Sequence, residues 1–286
     1  VTLALQDPTA LAASIDRVRP LSTAAVSLSG LLTKKDFTID AVEPVIRSDP
    51  GLTAAILRTV NSAAFGVRRS VSTVRHAAML LGNKRLAEIA LGTAFSETLP
   101  IELVGYGVTA AGFWDHCNAV AAIAESLARE TQGPEPEEIY TAGLLHDIGK
   151  LVIATHLNEH LQEVLAGLRA GLPLVDAERA ILGLDHSDVG AALAERWALP
   201  PRITDAIRWH HRPETVPDGV DRRVVDLVHV ADGLAHLFGY GADIGGLARV
   251  VSEGATLRIG LSERHVERVA IESLEPVQRM RAVLVA

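Results

Sequence analysis

Residues Thr141–Lys150, TAGLLHDIGK, form an apolar run that ends in an adjacent histidine and aspartate, with a lysine four residues after the histidine. Positions four apart share one helix face. A single helix over Glu137–Leu157 would therefore turn Lys150 into the same cavity as His146. His146 and Asp147 are separated by about 100° around such a helix, so both side chains approach one point from neighbouring sides. An imidazole and a carboxylate are good ligands for a transition metal. The alternative is a surface His-Asp pair closing a buried helix, and a two-residue pattern does not decide between them. The other histidines bear on the choice.

The chain has 286 residues, 48% of them apolar and only 4% aromatic, so its core rests on Leu, Ile, Val and Ala. Amphipathic rather than alternating patterns predict an all-α fold. No stretch approaches about 18 uninterrupted apolar residues, so no membrane helix is expected. The first residues lack a basic start followed by a long apolar segment, so no secretory signal is expected. The single cysteine, Cys117, permits no intramolecular disulfide and fits a reducing cytoplasm, the expected location. The net charge is −8, and basic residues are scattered. Only Arg68-Arg69 with Arg75, or Lys84-Arg85, approach a basic stripe, and nucleic acid is not an expected partner.

Before Leu99 the pattern gives short helices at Asp40–Arg47, Thr53–Val60, Thr73–Leu81 and Lys84–Thr98. Ser48-Asp49-Pro50-Gly51 separates the first two, and Gly82 closes the third. Pro100–Gly107, with one Pro and two Gly, is the expected domain break, dividing 1–104 from 105–286. Beyond it come Val108–Glu130, the loop Thr131–Pro136, and Glu137–Leu157. Further helices are expected near Glu159–Ala170, Pro173–Leu182, Ser187–Ala198, Pro201–His211 and Asp221–Phe238, with Gly246–Leu257 and Ser262–Leu284 in the tail.

Six more positions join Asp147 as candidates: His116, His146, His186, His210, His211 and Asp232. They fall on five predicted helices, each flanked by apolar residues. Taken singly, each has a plain structural explanation; a His pair at a helix C-terminus, for one, is favoured by the helix dipole. The joint pattern, about one histidine per helix with a central His-Asp and a late Asp, is much harder to produce by accident.

LLHDIGK (Leu144–Lys150) resembles the core motif of the HD superfamily of metal-dependent phosphohydrolases. The superfamily's ligands, a His, a His-Asp and a distant Asp, fall on His116, His146-Asp147 and Asp232. Its multinuclear members, including the HD-GYP phosphodiesterases, add a histidine and a His-His pair, matched by His186 and His210-His211. The segment IRSDPGLTAAILRTVNS (Ile46–Ser62), with Phe65-Gly66, Val71–Val74 and Ala78–Gly82, resembles the HDOD family, the HD-related output domain of bacterial signalling. The resemblance runs from about residue 20 to about 240. Three departures stand out. Only Arg19-Pro20-Leu21 represents the usual Leu-Pro-rich opening. Gly112 occupies the place of a glutamate found in HD-GYP enzymes. Arg212-Pro213-Glu214 follows the His pair, with no Gly-Tyr-Pro signature after it.

The resemblance implies an N-terminal helical bundle packed against an HD-type helical domain, with signalling proteins as partners. With the mixed N/O donor set, it implies one or two divalent transition-metal ions, Fe, Mn, Zn or Ni rather than Ca. In an enzyme reading, Asp147 bridges two ions and Lys150 neutralises charge on a phosphorylated or nucleotide ligand during phosphoester hydrolysis. The absent glutamate at Gly112 would weaken one metal subsite. In the rival reading the HD half is a regulatory scaffold or sensor, the role generally given to HDOD domains. A helical interaction protein without metal is the third reading.

Overall fold

Apolar residues at helical spacing become fifteen α-helices among the described residues. These are 22–34, 36–48, 50–62, 65–67, 71–96, 102–241, 243–245 and 250–285 of the structure, a computed structural model. The first five helices are α1 (Thr23–Leu32), α2 (Ile39–Arg47), α3 (Pro50–Asn61), α4 (Val74–Leu81) and α5 (Asn83–Ser96). They close over Leu28, Ile46, Leu52, Ile56 and Ile89, all essentially without exposure. Asn61 ends α3 and ties it to the next segment. Its Nδ2 donates to Leu57 O (2.7 Å) and Val71 O (2.8 Å), and its Oδ1 accepts from Val71 N at 2.7 Å. Arg19-Pro20-Leu21, Asp49, Arg68-Arg69, Pro100 and Gly246, used in the sequence reading, lie outside the described residues.

The second half is built round α6 (Ala110–Glu130), buried from Phe113 to Ala128 except at Asp115. Its many alanines let neighbouring helices approach closely. Packed against it are α7 (Pro136–Leu145), α13 (Arg222–Leu237) and α15 (Glu263–Val285). Between them in sequence lie α8 (Lys150–Glu159), α9 (Leu161–Arg169), α10 (Leu174–Leu182), α11 (His186–Arg196) and α12 (Pro201–Trp209), and α14 is Glu253–Ile259. The long α15 also touches α5, so it spans both halves.

Four expectations change. A two-stranded antiparallel sheet, β1 (Glu102–Leu103) and β2 (Val108–Thr109), with a 3₁₀ turn at Val104–Tyr106, occupies the stretch read as the domain break and the first two residues of the helix expected from Val108. α6 consequently starts at Ala110, capped by the Thr109 side chain on Gly112 N. The predicted Glu137–Leu157 helix is two helices. Residues 146–149 form turns tightened by bonds from Ile148 N to Leu145 O (3.1 Å) and Lys150 N to Asp147 O (2.9 Å). The helix expected at Gly246–Leu257 is the shorter α14.

Where the halves meet, three carboxylates are buried beside three bases. Lys84 pairs with Glu137 at 2.6 Å, Arg85 with Glu88 at 2.7 Å, and Arg129 with Glu125. Burial, then the neighbouring Glu88, push the Glu125 carboxyl up to about 8 against the pull of Arg129 and Arg85. An unfolded glutamate titrates near 4.5. The folded chain therefore holds the extra proton between these values, and stability falls as pH rises through that window. Glu125→Gln should flatten this dependence. Between about pH 5 and pH 8.5 the native chain should lose several degrees of melting temperature relative to the variant, each ~1 kcal/mol being roughly 2–4 °C in a chain of this size. Parallel melting curves across that range would show that Glu125 titrates normally.

Candidate metal centre

The tight turn after α7 decides where the His-Asp pair points. His146 is the C-terminal cap residue of α7, Asp147 lies in the turn, and both are fully buried. The turn is pressed onto the start of α11. A Cβ on Gly149 would lie 1.8 Å from His186 O and 2.6 Å from Gly190 N, so only glycine fits. α6 contributes His116, α11 its first residue His186, and α13 Asp232. α12 ends at Trp209, leaving His210 as its cap and His211 just beyond, rather than inside the helix as expected. Lys150 opens α8 and so does not share a continuous helix with His146. The turn nevertheless brings its Nζ within 2.7 Å of Asp147 Oδ2, and Asp243 Oδ2 lies 2.8 Å away on its other side.

All the predicted residues converge on Asp147, as two groups of donor atoms. Around Oδ2 lie His146 Nε2 at 3.3 Å and His116 Nε2 at 3.6 Å. Asp232 Oδ1 is 3.3 Å from His116 Nε2 and 3.8 Å from His146 Nε2. Around Oδ1 lie His186 Nε2 at 3.1 Å and His210 Nε2 at 3.7 Å. His211 Nε2 is 2.9 Å from His186 Nε2. With metal–ligand bonds of about 2.1 Å, neighbouring donors on one ion lie roughly 3.0–3.5 Å apart; three of these seven separations fall in that range and the other four lie within about 0.3 Å of it.

The outer ring nitrogens give a second, independent test. His116 Nδ1 faces Tyr240 O at 3.1 Å, His146 Nδ1 faces Gly143 O at 2.7 Å, and His210 Nδ1 faces Ile207 O at 2.8 Å. A carbonyl only accepts, so each Nδ1 carries the proton and donates. The three rings thus turn Nε2 inward toward the carboxylates, the nitrogen that a cation between them would bind. His210 Nε2 is buried without a hydrogen-bond partner. The donor set fits a divalent transition metal.

The protein's own charges are matched to this arrangement. Burial alone would raise the Asp147 pKa, but His146, Lys150 and His186 hold it well below the usual carboxylate range. Burial would lower His186, but Glu178 and Asp147 outweigh it and raise this imidazole to about 9. Burial brings His210 down to about 4 despite Asp147, with His146 and His186 adding to the effect.

Several supporting residues escaped the sequence reading. Glu178 is fully buried and binds His186 through both its backbone N (2.9 Å) and Nδ1 (2.8 Å), while accepting from Tyr106 Oη at 2.9 Å. Its signal was present: the buried face of α10 is Leu174, Ala177, Glu178, Ile181, Leu182, a helical apolar stripe with one charge in it. His229 Nδ1 contacts His210 O at 2.6 Å and its Nε2 accepts from Ser252 N at 2.9 Å, fixing the end of α12. His236 and Asp243 also reach the cluster. A cavity of about 170 Å³ opens on His211 and Asp232, walled by Pro173, Leu174, Val175 and Val250.

The fold and cluster are those of a helical HD-type domain. The family model of the HDOD domain matches residues 18–213, and the chain belongs to the HDOD family. A Treponema pallidum (strain Nichols) protein of uncharacterised function is 26% identical over 219 residues, which are 73% of this chain but 41% of that protein. The chain thus spans less than half the length of that relative. Among solved structures, an HDOD domain protein of unknown function from Geobacter sulfurreducens is 28% identical, with a TM-score of 0.67 over 93% of this chain and 88% of that one. A protein provisionally assigned to signal transduction, from Marinobacter aquaeolei VT8, shares the fold at 22% identity, with a TM-score of 0.76 over 97% of this chain and 65% of that one. Among the described residues, no helix is long and apolar enough to cross a membrane.

Proposed function

We propose that this chain is a regulatory module of bacterial signalling whose HD half holds two divalent transition-metal ions on His116, His146, Asp147, Asp232, His186, His210 and His211. The observation that carries the reading is the pair of donor groups on opposite oxygens of Asp147, with outer ring nitrogens already donating to carbonyls. A dedicated set of this kind is costly to bury unless it is used, because a half-satisfied polar cluster destabilises a core. The helices before residue 104 present the surface for signalling partners, in keeping with the family.

The second reading, a metal-dependent phosphohydrolase acting on a phosphodiester, is favoured by the cavity that reaches His211 and Asp232. Bound ions would activate water and polarise a phosphoryl oxygen. In that reading Asp147 and Asp232 set the charge of the centre. Lys150, held between Asp147 and Asp243, would shift toward a bound phosphate.

The deciding experiment is elemental analysis of protein purified without chelator or nickel resin, followed by assays with a chromogenic phosphodiester and cyclic dinucleotides. About two equivalents of Fe, Mn, Zn or Ni without turnover supports the regulatory reading. Metal with turnover that disappears on chelation replaces it with the hydrolase. Background metal overturns both.

A further inference from the structure

His236 lies one helical turn beyond Asp232 on α13, so the two side chains share a face. Its side chain is 8% exposed, and its Nε2 stands 3.6 Å from Asp232 Oδ1. The His236 and His116 rings are tilted against each other with centroids 4.8 Å apart. His116, Asp232 and His236 therefore form a donor group of their own. It shares His116 with the group that includes His146 and Asp147.

His116 has one inward nitrogen, because its Nδ1 is committed to Tyr240 O. One lone pair serves one ion, so the two groups compete for His116 unless they surround the same ion. We infer that His236 is a metal ligand, making this site a five-donor centre of His116, His146, Asp147, Asp232 and His236. This inference rests on the metal-binding reading above. His236 lines the same small pocket as Gly112 and His116, so its nitrogen reaches the centre from a side where α6 offers only a glycine. Three imidazoles and two carboxylate oxygens favour Fe, Co, Ni or Zn over Mg or Ca.

The backbone is shaped for this placement. Gly241, with φ +121°, lies close against both rings. A Cβ there would sit 2.8 Å from His116 Nδ1 and 2.8 Å from His236 Cε1. A bare glycine lets the loop after α13 clamp the two imidazoles in one orientation, and that pre-organisation is what a metal site needs.

The test is Co²⁺ titration of metal-free protein, read by visible absorption and by chelator competition. His116→Ala and His211→Ala mark the two sites. The native chain should take two equivalents. His236→Ala should weaken the equivalent that His116→Ala abolishes by at least about tenfold and change its absorption spectrum, while leaving the equivalent that depends on His211 intact. His236→Gln, which keeps the side chain's bulk, should show the same weakening with an unchanged melting temperature of the metal-free protein. Native affinity and spectrum in both His236 variants would reduce His236 to an ion-pair partner of Asp232 and overturn the inference alone. A native chain that takes up no Co²⁺ would overturn it together with the metal-binding reading.

Discussion

Asp147→Asn should strip the protein of both ions at once, where replacing any single histidine removes at most one. Asparagine keeps the shape of the side chain but supplies one oxygen and no charge, whereas Asp147 offers a separate oxygen to each donor group. Losing an anionic ligand shared by two ions should weaken each by about 100-fold or more, roughly 2.7 kcal/mol apiece. The metal-free variant should also melt lower. Lys150, almost completely buried, would lose its ion pair with Asp147 while keeping the one with Asp243, and leaving a buried charge under-compensated typically costs about 3 kcal/mol or more. Elemental analysis and thermal melting with chelator check the two halves separately. A variant that retains its full metal content would mean Asp147 is not the shared ligand.

Gly149→Ala should be the most damaging glycine-to-alanine change among the described residues. The obstacles, His186 O and Gly190 N, are backbone atoms of the first turns of α11 and cannot swing aside like a flexible side chain. Accommodating a Cβ means moving α11 away from the turn after α7, which carries His186 away from Asp147. The expected loss is about 3 kcal/mol or more, on the order of 6–12 °C in melting temperature, together with loss of the metal that depends on His211. A melting temperature within about 2 °C of the native value would show that this turn does not press on α11 as described.

What could be read from the sequence depended on whether the information was local. Helical spacing and the scarcity of aromatics announce an all-α chain, and helix ends at Gly82 and Asn61 follow from residue type. The break at His146–Gly149 was not legible, because LLHDIGK contains no proline and its apolar period runs on across the turn. What interrupts the helix is contact with α11, nearly forty residues away. His210 and His211 lie outside α12 for a similar reason, since the end of that helix is held from α13 by His229. The candidate site was visible as a set of residue types, but its supports were not. Glu178, a lone charge in the apolar stripe of α10, was not picked out, because only the packing of that helix shows that it turns inward to His186. His236 follows Asp232 at a spacing that helical geometry makes meaningful, and only the packing of α6 on α13 gives that spacing something to point at.

α13 carries a practical consequence for comparing relatives. It supplies Asp232, His229 and His236, all of them beyond residue 213, where the match to the family model ends. Two proteins can therefore share every feature by which membership is recognised and still differ in what their centres hold. Sorting relatives by the residues that follow the shared region, rather than by the HD pair itself, would separate chains equipped for metal from those that keep only the scaffold.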